Sequence, residues 1–171
     1  VTADLLPLLR AGEVDFVIGV LPERPMDIDF GFVPLYEQPT MIVVRSGHPL
    51  TRRNRLEWPM LSDYPVMLPS RGTTVRYLLD SFMAKEGISP SRRSVESMSM
   101  TTIMGVLQTT DSIGFLTRDL ASHLEAQGSV QVLALAPPVS VRVGLIFMAG
   151  RRMTATHQLV IRLLRETAAD T

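Results

Sequence analysis

The spacing of apolar residues changes from a helical to a strand pattern within the first twenty positions. Leucines at positions 5, 8 and 9 recur at the i, i+3, i+4 spacing of one helix face. Gly12 stands where a helix commonly ends in a left-handed residue, so the pattern predicts a helix over 3–11. The apolar run that follows predicts a strand over 15–20. Gly19 lies at its carboxyl end, where the missing side chain lets another group approach the backbone closely.

The rest of the chain alternates between strand and helix patterns. Further strands are predicted near 31–36 and 39–45, around Val95, and over 65–69, 112–117, 129–135 and 139–148. Helices are predicted from about 74 to Gly87, over 101–109, over 118–127 with an end at Gly128, and through the last leucines of the chain. Such alternation indicates an α/β protein with mostly parallel sheets and helices on their faces.

Two compositional breaks divide these elements, one near Pro65–Pro69 and one at Pro137–Pro138. We therefore expect residues 1–65 and 138–171 to form a first lobe and residues 66–137 to form a second. The chain would then cross between the lobes twice, which makes a hinge.

The order of several motifs resembles the effector domain of LysR-type transcriptional regulators. In that family a leucine-rich helix leads to a Gly-x-x-Asp-apolar-x-Ile-Gly segment, a hydrophobic strand and a His-Pro-Leu turn. This chain carries the same order in Gly12–Gly19, Met41–Val44 and His48–Leu50, and Tyr64–Ser70 and Ser112–Thr117 agree as well. The resemblance spans essentially the whole chain. It is nearest to the subgroup that regulates aromatic-acid catabolism or sugar-binding-protein genes.

The resemblance implies a two-lobed fold like that of type 2 periplasmic binding proteins, with a small ligand held in the cleft between the lobes. It implies a ligand-sensing domain that binds a small metabolite, an organic acid or a sugar derivative, to control DNA binding by an N-terminal helix-turn-helix. In that family a strand, a helix and a second strand precede the Gly-x-x-Asp segment. We therefore expect a first lobe that lacks its first strands, and a homo-oligomer, a dimer or larger.

Charge and composition narrow the class of protein. Seventeen basic and seventeen acidic residues give a net charge of zero, whereas a module that neutralises DNA phosphates usually has a basic excess. We therefore expect contact with DNA only through a missing N-terminal domain. The sequence has no apolar stretch near 18 residues, no signal-peptide pattern and no cysteine, so we expect a cytoplasmic protein without membrane contact.

Sequence motifs for catalysis and metal binding are absent. The chain has no Gly-x-Ser-x-Gly, Gly-x-Gly-x-x-Gly, Gly-Lys-Ser/Thr or His-Glu-x-x-His motif, and its three histidines are far apart. We expect no enzyme activity, no metal and no cofactor. The alternative from another class is a solute-binding protein of a transport system, which would share the fold and carry a signal peptide upstream. A catalytic two-lobed domain is the third option.

Hydroxyl residues at predicted helix starts are the candidate ligand contacts. In doubly wound sheets, ligands bind outside the carboxyl ends of strands, where helix starts offer free N–H groups and a positive dipole end. These groups would bind a small anion favourably. The same residue types cap helices routinely, and capping is compatible with binding. The candidates are the hydroxyl residues Ser70, Thr73, Ser99, Thr101 and Thr117, together with Arg71 in the first of these loops.

The family resemblance adds Thr2, which matches a hydroxyl that contacts effectors in some relatives, and Gly19 is expected to face the same ligand. Two departures from the family pattern affect the site near Thr117. Where the family often has a Gly-x-Gly pair before Leu/Val-Pro, this chain has Asp111–Gly114 followed by Leu116-Thr117. Methionines near the proposed loops, such as Met98, Met100 and Met104, suit either an adaptable pocket or ordinary core filling.

Overall fold

The computed structural model describes residues 2–20, 29–89, 93–135, 139–151 and 153–169. The helices of this part are α1 (Thr2–Ala11), α2 (Thr74–Lys85), α3 (Met100–Thr109), α4 (Arg118–Ala126) and α5 (Ala155–Ala169). The strands are β1 (Val17–Val20), β2 (Phe30–Val44), β3 (Met67–Leu68), β4 (Val95–Glu96), β5 (Gly114–Thr117), β6 (Gln131–Val132) and β7 (Ser140–Met148). Short 3₁₀ helices cover Pro49–Arg52 and Trp58–Asp63. None of the described helices is long and apolar enough to cross a bilayer.

Glycine ends three of the helices in the way the sequence predicts. After α1, the N–H of Glu13 donates to the Leu8 carbonyl and the N–H of Gly12 donates to the Leu9 carbonyl. Gly12 has a φ of 78°, a left-handed conformation that favours glycine. The same pair of hydrogen bonds closes α2 around Gly87 and α4 around Gly128. This is the Schellman arrangement, and it confirms these three predicted helix ends.

The chain divides into two units, Val1–Gln38 with Val141–Thr171, and Pro39–Ser140. In the first, which we call unit 1, β7 lies between β1 and the first part of β2. Strands β1 and β7 are antiparallel, with Gly19 opposite Gly144. The core of unit 1 is built on Leu9, Val17 and Ile146, and Leu6 packs against it. Of the predicted leucine face, Leu9 is therefore in the core, whereas Leu5 is 39% exposed.

In the second unit, unit 2, the strand order is β4–β3–β5–β2–β6. Strands β3 and β4 are parallel, and a parallel bridge between Val66 and Ile113 joins β3 to β5. The end of β2 pairs antiparallel with β5 on one side and with β6 on the other. The predicted parallel arrangement therefore holds for β4, β3 and β5, whereas β2 is antiparallel to both of its neighbours in this unit, as β1 is to β7 in unit 1.

The division of the chain differs from the predicted one at the first crossing. Residues 39–65 were expected in the first lobe, yet they belong to unit 2. The reason is that residues 40–44 form an inner strand of the unit 2 sheet, while Leu50 and Leu61 pack in its core. The second crossing falls at 140/141. The predicted break at Pro137–Pro138 lies outside the described residues.

Strand β2 also replaces two predicted strands. The sequence predicts a break between 36 and 39, but the extended backbone continues from Phe30 to Val44 through Pro34 and Pro39. Proline is compatible with extended backbone and only lacks a donor. At the entry to unit 2, the N–H of Thr40 donates to the Val139 carbonyl at 2.9 Å, so the two segments that cross between the units are hydrogen-bonded there.

Candidate functional site

The start of α2 combines a hydroxyl that caps the helix with a hydroxyl that bonds to no other described residue. Thr73 is the N-cap, since its Oγ1 accepts a hydrogen bond from the N–H of Arg76 at 3.2 Å. The same hydroxyl donates to the Ser70 carbonyl at 3.0 Å. Within the described residues, the Ser70 hydroxyl has no hydrogen-bond partner. The capping interpretation therefore holds for Thr73, and Ser70 keeps its hydroxyl available for a ligand.

The start of α3 repeats this division of roles. Ser99 is the N-cap, and its Oγ accepts from the N–H of Thr102 at 3.4 Å. Ser97 supports the turn by accepting from the N–H of Ser99 at 3.1 Å. Thr101 is exposed on the first turn, and its hydroxyl bonds to no other described residue. Thr101 therefore offers a hydroxyl that is available to bind at this helix start.

Thr117 occupies the N-cap position between β5 and α4, as Thr73 does before α2 and Ser99 does before α3. It stands opposite Thr40 in the sheet and is the N-cap residue of α4, but its side chain makes no capping hydrogen bond. Because β4, β3 and β5 are parallel neighbours, their carboxyl ends meet at one edge of the unit 2 sheet. The loops that carry the six candidates of unit 2 therefore follow strand ends at a common edge of this sheet.

Thr2 and Gly19 are the two candidates in unit 1, and they contact each other. A Cβ placed on Gly19 would collide with the Thr2 hydroxyl. The close approach predicted at Gly19 is therefore made by a side chain of this chain. Glycine at this position leaves the space that the Thr2 side chain fills.

An ion-pair network that the sequence did not reveal lies beneath the α2 start. Arg76 is 7% exposed, and its Nη1 lies 2.8 Å from Oε1 of Glu96. Its Nε donates to both carboxylate oxygens of Asp80 at 2.9 and 3.0 Å, and its Nη1 also donates to the Pro69 carbonyl. Arg71 joins from outside, with its Nε 3.2 Å from the same Oε1 of Glu96.

This network fixes the charge state of Glu96. The hydrogen bond from Arg76 and the weaker one from Arg71 lower the pKa of the Glu96 carboxyl below its ordinary value. Glu96 is therefore a carboxylate at neutral pH, directly beside the loop that carries Ser97 and Ser99. A helical i,i+4 spacing could have suggested Arg76–Asp80, but no local signal links residue 96 to residues 71 and 76.

A cavity of about 490 Å³ lies at the opposite end of the same strands. Its lining includes residues that precede β3, β4 and β5, among them Tyr64, Arg93 and Asp111. The predicted ligand residues follow these strands and lie at the other edge. The cavity is therefore separate from the candidate site.

The His-Pro-Leu turn is structural. His48 is fully buried, accepts a hydrogen bond at Nδ1 from the N–H of Leu50, and contacts the ring of Tyr64. Among the described residues, no group of three or more histidine, aspartate or glutamate side chains is placed to hold a metal ion. Of the methionines near the site, Met104 packs against the core, whereas Met98 and Met100 are exposed.

Two α/β units joined by two chain crossings define the class of protein, the type 2 periplasmic-binding-protein-like fold. The sequence profile of the LysR substrate binding domain matches residues 1–169. The chain therefore belongs to the LysR substrate binding domain family.

Sequence relatives agree with this assignment. The HTH-type transcriptional regulator PcaQ of Agrobacterium fabrum is 28% identical over 169 residues, which cover 98% of this chain and 54% of PcaQ. The HTH-type transcriptional regulator GalR of Pseudomonas putida is 32% identical over 163 residues, which cover 95% of this chain and 41% of GalR. The chain spans about half the length of the curated relatives it matches.

Solved structures support the fold. The effector-binding domain of QuiR in complex with shikimate superposes with a TM-score of 0.81 at 20% identity, covering 99% of this chain and 78% of that domain. The regulatory domain of Synechocystis CcmR in complex with 2-PG gives a TM-score of 0.81 at 18% identity, covering 98% of this chain and 80% of that domain.

Proposed function

We propose that this chain is the ligand-sensing domain of a LysR-type transcriptional regulator and that it binds a small metabolite, an organic acid or a sugar derivative. The observation that carries the proposal is the common edge at the carboxyl ends of β3, β4 and β5. Three hydroxyls without a partner in the described structure, those of Ser70, Thr101 and Thr117, meet there with Arg71 and three helix starts.

The chemistry of this edge suits oxygen-rich ligands. Hydroxyls donate or accept, so they serve a carboxylate as well as a sugar oxygen. Helix N-termini add positive potential without net charge on the protein, and the Arg71 guanidinium adds a charged donor. Shikimate, which QuiR binds, combines a carboxylate with hydroxyls and is a reasonable first probe. Thr2 and Gly19 are the contacts we propose in unit 1.

We favour a transcriptional regulator over a solute-binding protein of a transport system, because the matched relatives are named as HTH-type transcriptional regulators. On this proposal, DNA is contacted by another domain of the full protein, the protein is cytoplasmic and forms homo-oligomers, and the domain has no catalytic activity. Light scattering tests the oligomer, and a monomer at high concentration would contradict it. The subgroup tied to aromatic-acid catabolism or sugar-binding-protein genes stays a prediction.

The test begins with a thermal-shift screen of small organic acids and sugars that includes shikimate. A ligand that binds only the folded state stabilises it by about 2.7 kcal/mol at a hundredfold excess over its Kd. Calorimetry with the best ligand then compares the wild type with Ser70→Ala and Thr101→Ala. Each loss should weaken binding by roughly 0.5–1.5 kcal/mol for a neutral partner, or about 1.5–3 kcal/mol for a charged one.

Thr109→Ala is the matched control. Thr109 lies on the same helix as Thr101 but at its other end, where its hydroxyl donates to the Gly105 carbonyl at 2.7 Å. This variant should bind like the wild type. Unchanged affinity in both Ser70→Ala and Thr101→Ala would place the ligand elsewhere.

A further inference from the structure

Arg71 is the charged donor of the candidate site, and it already forms an ion pair with Glu96 of the same chain. Its side chain is 82% exposed, yet its Nε lies 3.2 Å from Oε1 of Glu96. Arg71 stands between the Ser70 hydroxyl and the capping Thr73. An oxyanion at this helix start would therefore meet Arg71 while Glu96 competes for it.

Glu96 is held independently of Arg71. The buried Arg76 reaches the same Oε1 at the shorter distance of 2.8 Å, and Arg76 is itself fixed by Asp80 and the Pro69 carbonyl. Losing Arg71 would therefore leave Glu96 in place and still paired. The two arginines are unequal partners, because one is buried and held by several contacts while the other is exposed and held by one.

The net charge of this ion-pair network determines the electrostatic environment of a bound anion. Arg71 and Arg76 supply two positive charges, and Glu96 and Asp80 supply two negative charges, so the network is neutral. An anion that takes Arg71 leaves Glu96 as a like charge close by. That repulsion grows with the charge of the ligand, so a dianion is penalised more than a monoanion.

We propose that Glu96 is a selectivity residue of the effector site: it competes with a small oxyanion for Arg71, lowering the affinity for anions and disfavouring dianions over monoanions. The proposal rests on the proposed function, since it concerns the same helix start. The ligand class is a small carboxylate or phosphate, and the two are separated by the probes below.

The test uses Glu96→Gln, which removes the charge while the amide oxygen still accepts from Arg76 and Arg71. Inorganic phosphate, largely a dianion above neutral pH, and the monoanion shikimate are titrated by calorimetry, and NMR follows the Arg71 Nε–Hε signal. An exposed pair of opposite charges is worth little, so we expect phosphate to bind about twofold to fivefold more tightly to Glu96→Gln. The gain for shikimate should be smaller.

Glu57→Gln is the matched control. The pair Arg55–Glu57 has the same Nε–Oε1 distance of 3.2 Å and is also exposed, but it lies at no helix start of the site. Its loss should leave phosphate and shikimate affinity unchanged. A double variant, Arg71→Gln with Glu96→Gln, should lose the gain, because the competition needs Arg71.

Three results would overturn the proposal: no gain in Glu96→Gln, an equal gain in Glu57→Gln, or a gain that persists without Arg71. Absence of binding by either probe to Glu96→Gln would also overturn it, since an unopposed Arg71 should then take an oxyanion. The proposed function has its own test. If Thr101→Ala weakens the binding of an effector while Glu96→Gln and Arg71→Gln leave that binding unchanged, the effector site is supported and only the competition between Glu96 and the ligand is wrong.

Discussion

His48 Nε2 lies 3.2 Å from the carbonyl oxygen of Asp111, 63 positions away in the chain. Because Nδ1 of the same ring accepts from the N–H of Leu50 at 3.1 Å, Nε2 carries the proton and donates to Asp111. The buried ring therefore joins the turn at 48–50 to the loop before β5. It does so as a neutral imidazole.

Stability should fall as the pH falls below the ordinary histidine pKa. Burial lowers the pKa of His48 from its ordinary value of 6.5, against the raising effect of the Asp111 carbonyl and carboxylate, and Arg45 lowers it further. Between the two pKa values the unfolded chain binds a proton that the folded chain does not, so lower pH favours unfolding. Urea unfolding at about pH 7.5 and about pH 5.5 should show a lower midpoint in acid.

His48→Gln is the variant that tests the cause, because a glutamine amide can still donate to Asp111 but does not titrate. It should be less stable at neutral pH and lose part of the dependence on pH over this range. An unchanged dependence on pH in this variant would show that another group is responsible.

Gly19→Ala should destabilise unit 1 through Thr2. The new methyl group collides with the Thr2 side chain, and overpacking of this kind costs about 1–3 kcal/mol. In the double variant with Thr2→Ala the hydroxyl and methyl of Thr2 are gone, so much of the loss should be recovered. Urea unfolding of both single variants and the double variant measures this coupling, and strictly additive losses would contradict it.

Leu107→Ala should cost about 2–5 kcal/mol, because Leu107 is fully buried and its methyl groups pack directly over Gly114. The control is Leu159→Ala on α5, where the leucine is 44% exposed and less apolar contact is lost. The free energy of unfolding from urea titrations gives both values. Similar losses in the two variants would mean that Leu107 does not support the core of unit 2.

Arg76→Gln should destabilise the chain by about 1.5–3 kcal/mol, since it removes charge-assisted hydrogen bonds from a buried side chain. We expect the lower part of this range because Asp80 and Glu96 can turn to water. Arg162→Gln is the control: Arg162 and Glu166 have the same i,i+4 spacing, but both are exposed and 4.0 Å apart. That change should cost less than about 0.5 kcal/mol, and equal losses would contradict a special role for Arg76.

The local features of this protein follow from its sequence. Helix ends at Gly12, Gly87 and Gly128 were predicted because a left-handed glycine and the residues before it suffice to close a helix. The hydroxyls at the starts of α2 and α3 were predicted for the same reason, since an N-cap uses donors only a few residues away. The order of sequence motifs such as Gly12–Gly19 and His48–Leu50 indicated the family by resemblance.

Tertiary structure alone decided how distant segments are paired. It placed residues 39–65 in unit 2, since the end of β2 has the hydrogen-bonding edges of β5 and β6 as partners. It joined Arg71 to Glu96 across 25 positions and brought Arg76 to the same carboxylate. Local spacing cannot encode such pairs, because the distance between two side chains on different strands depends on which strands become neighbours.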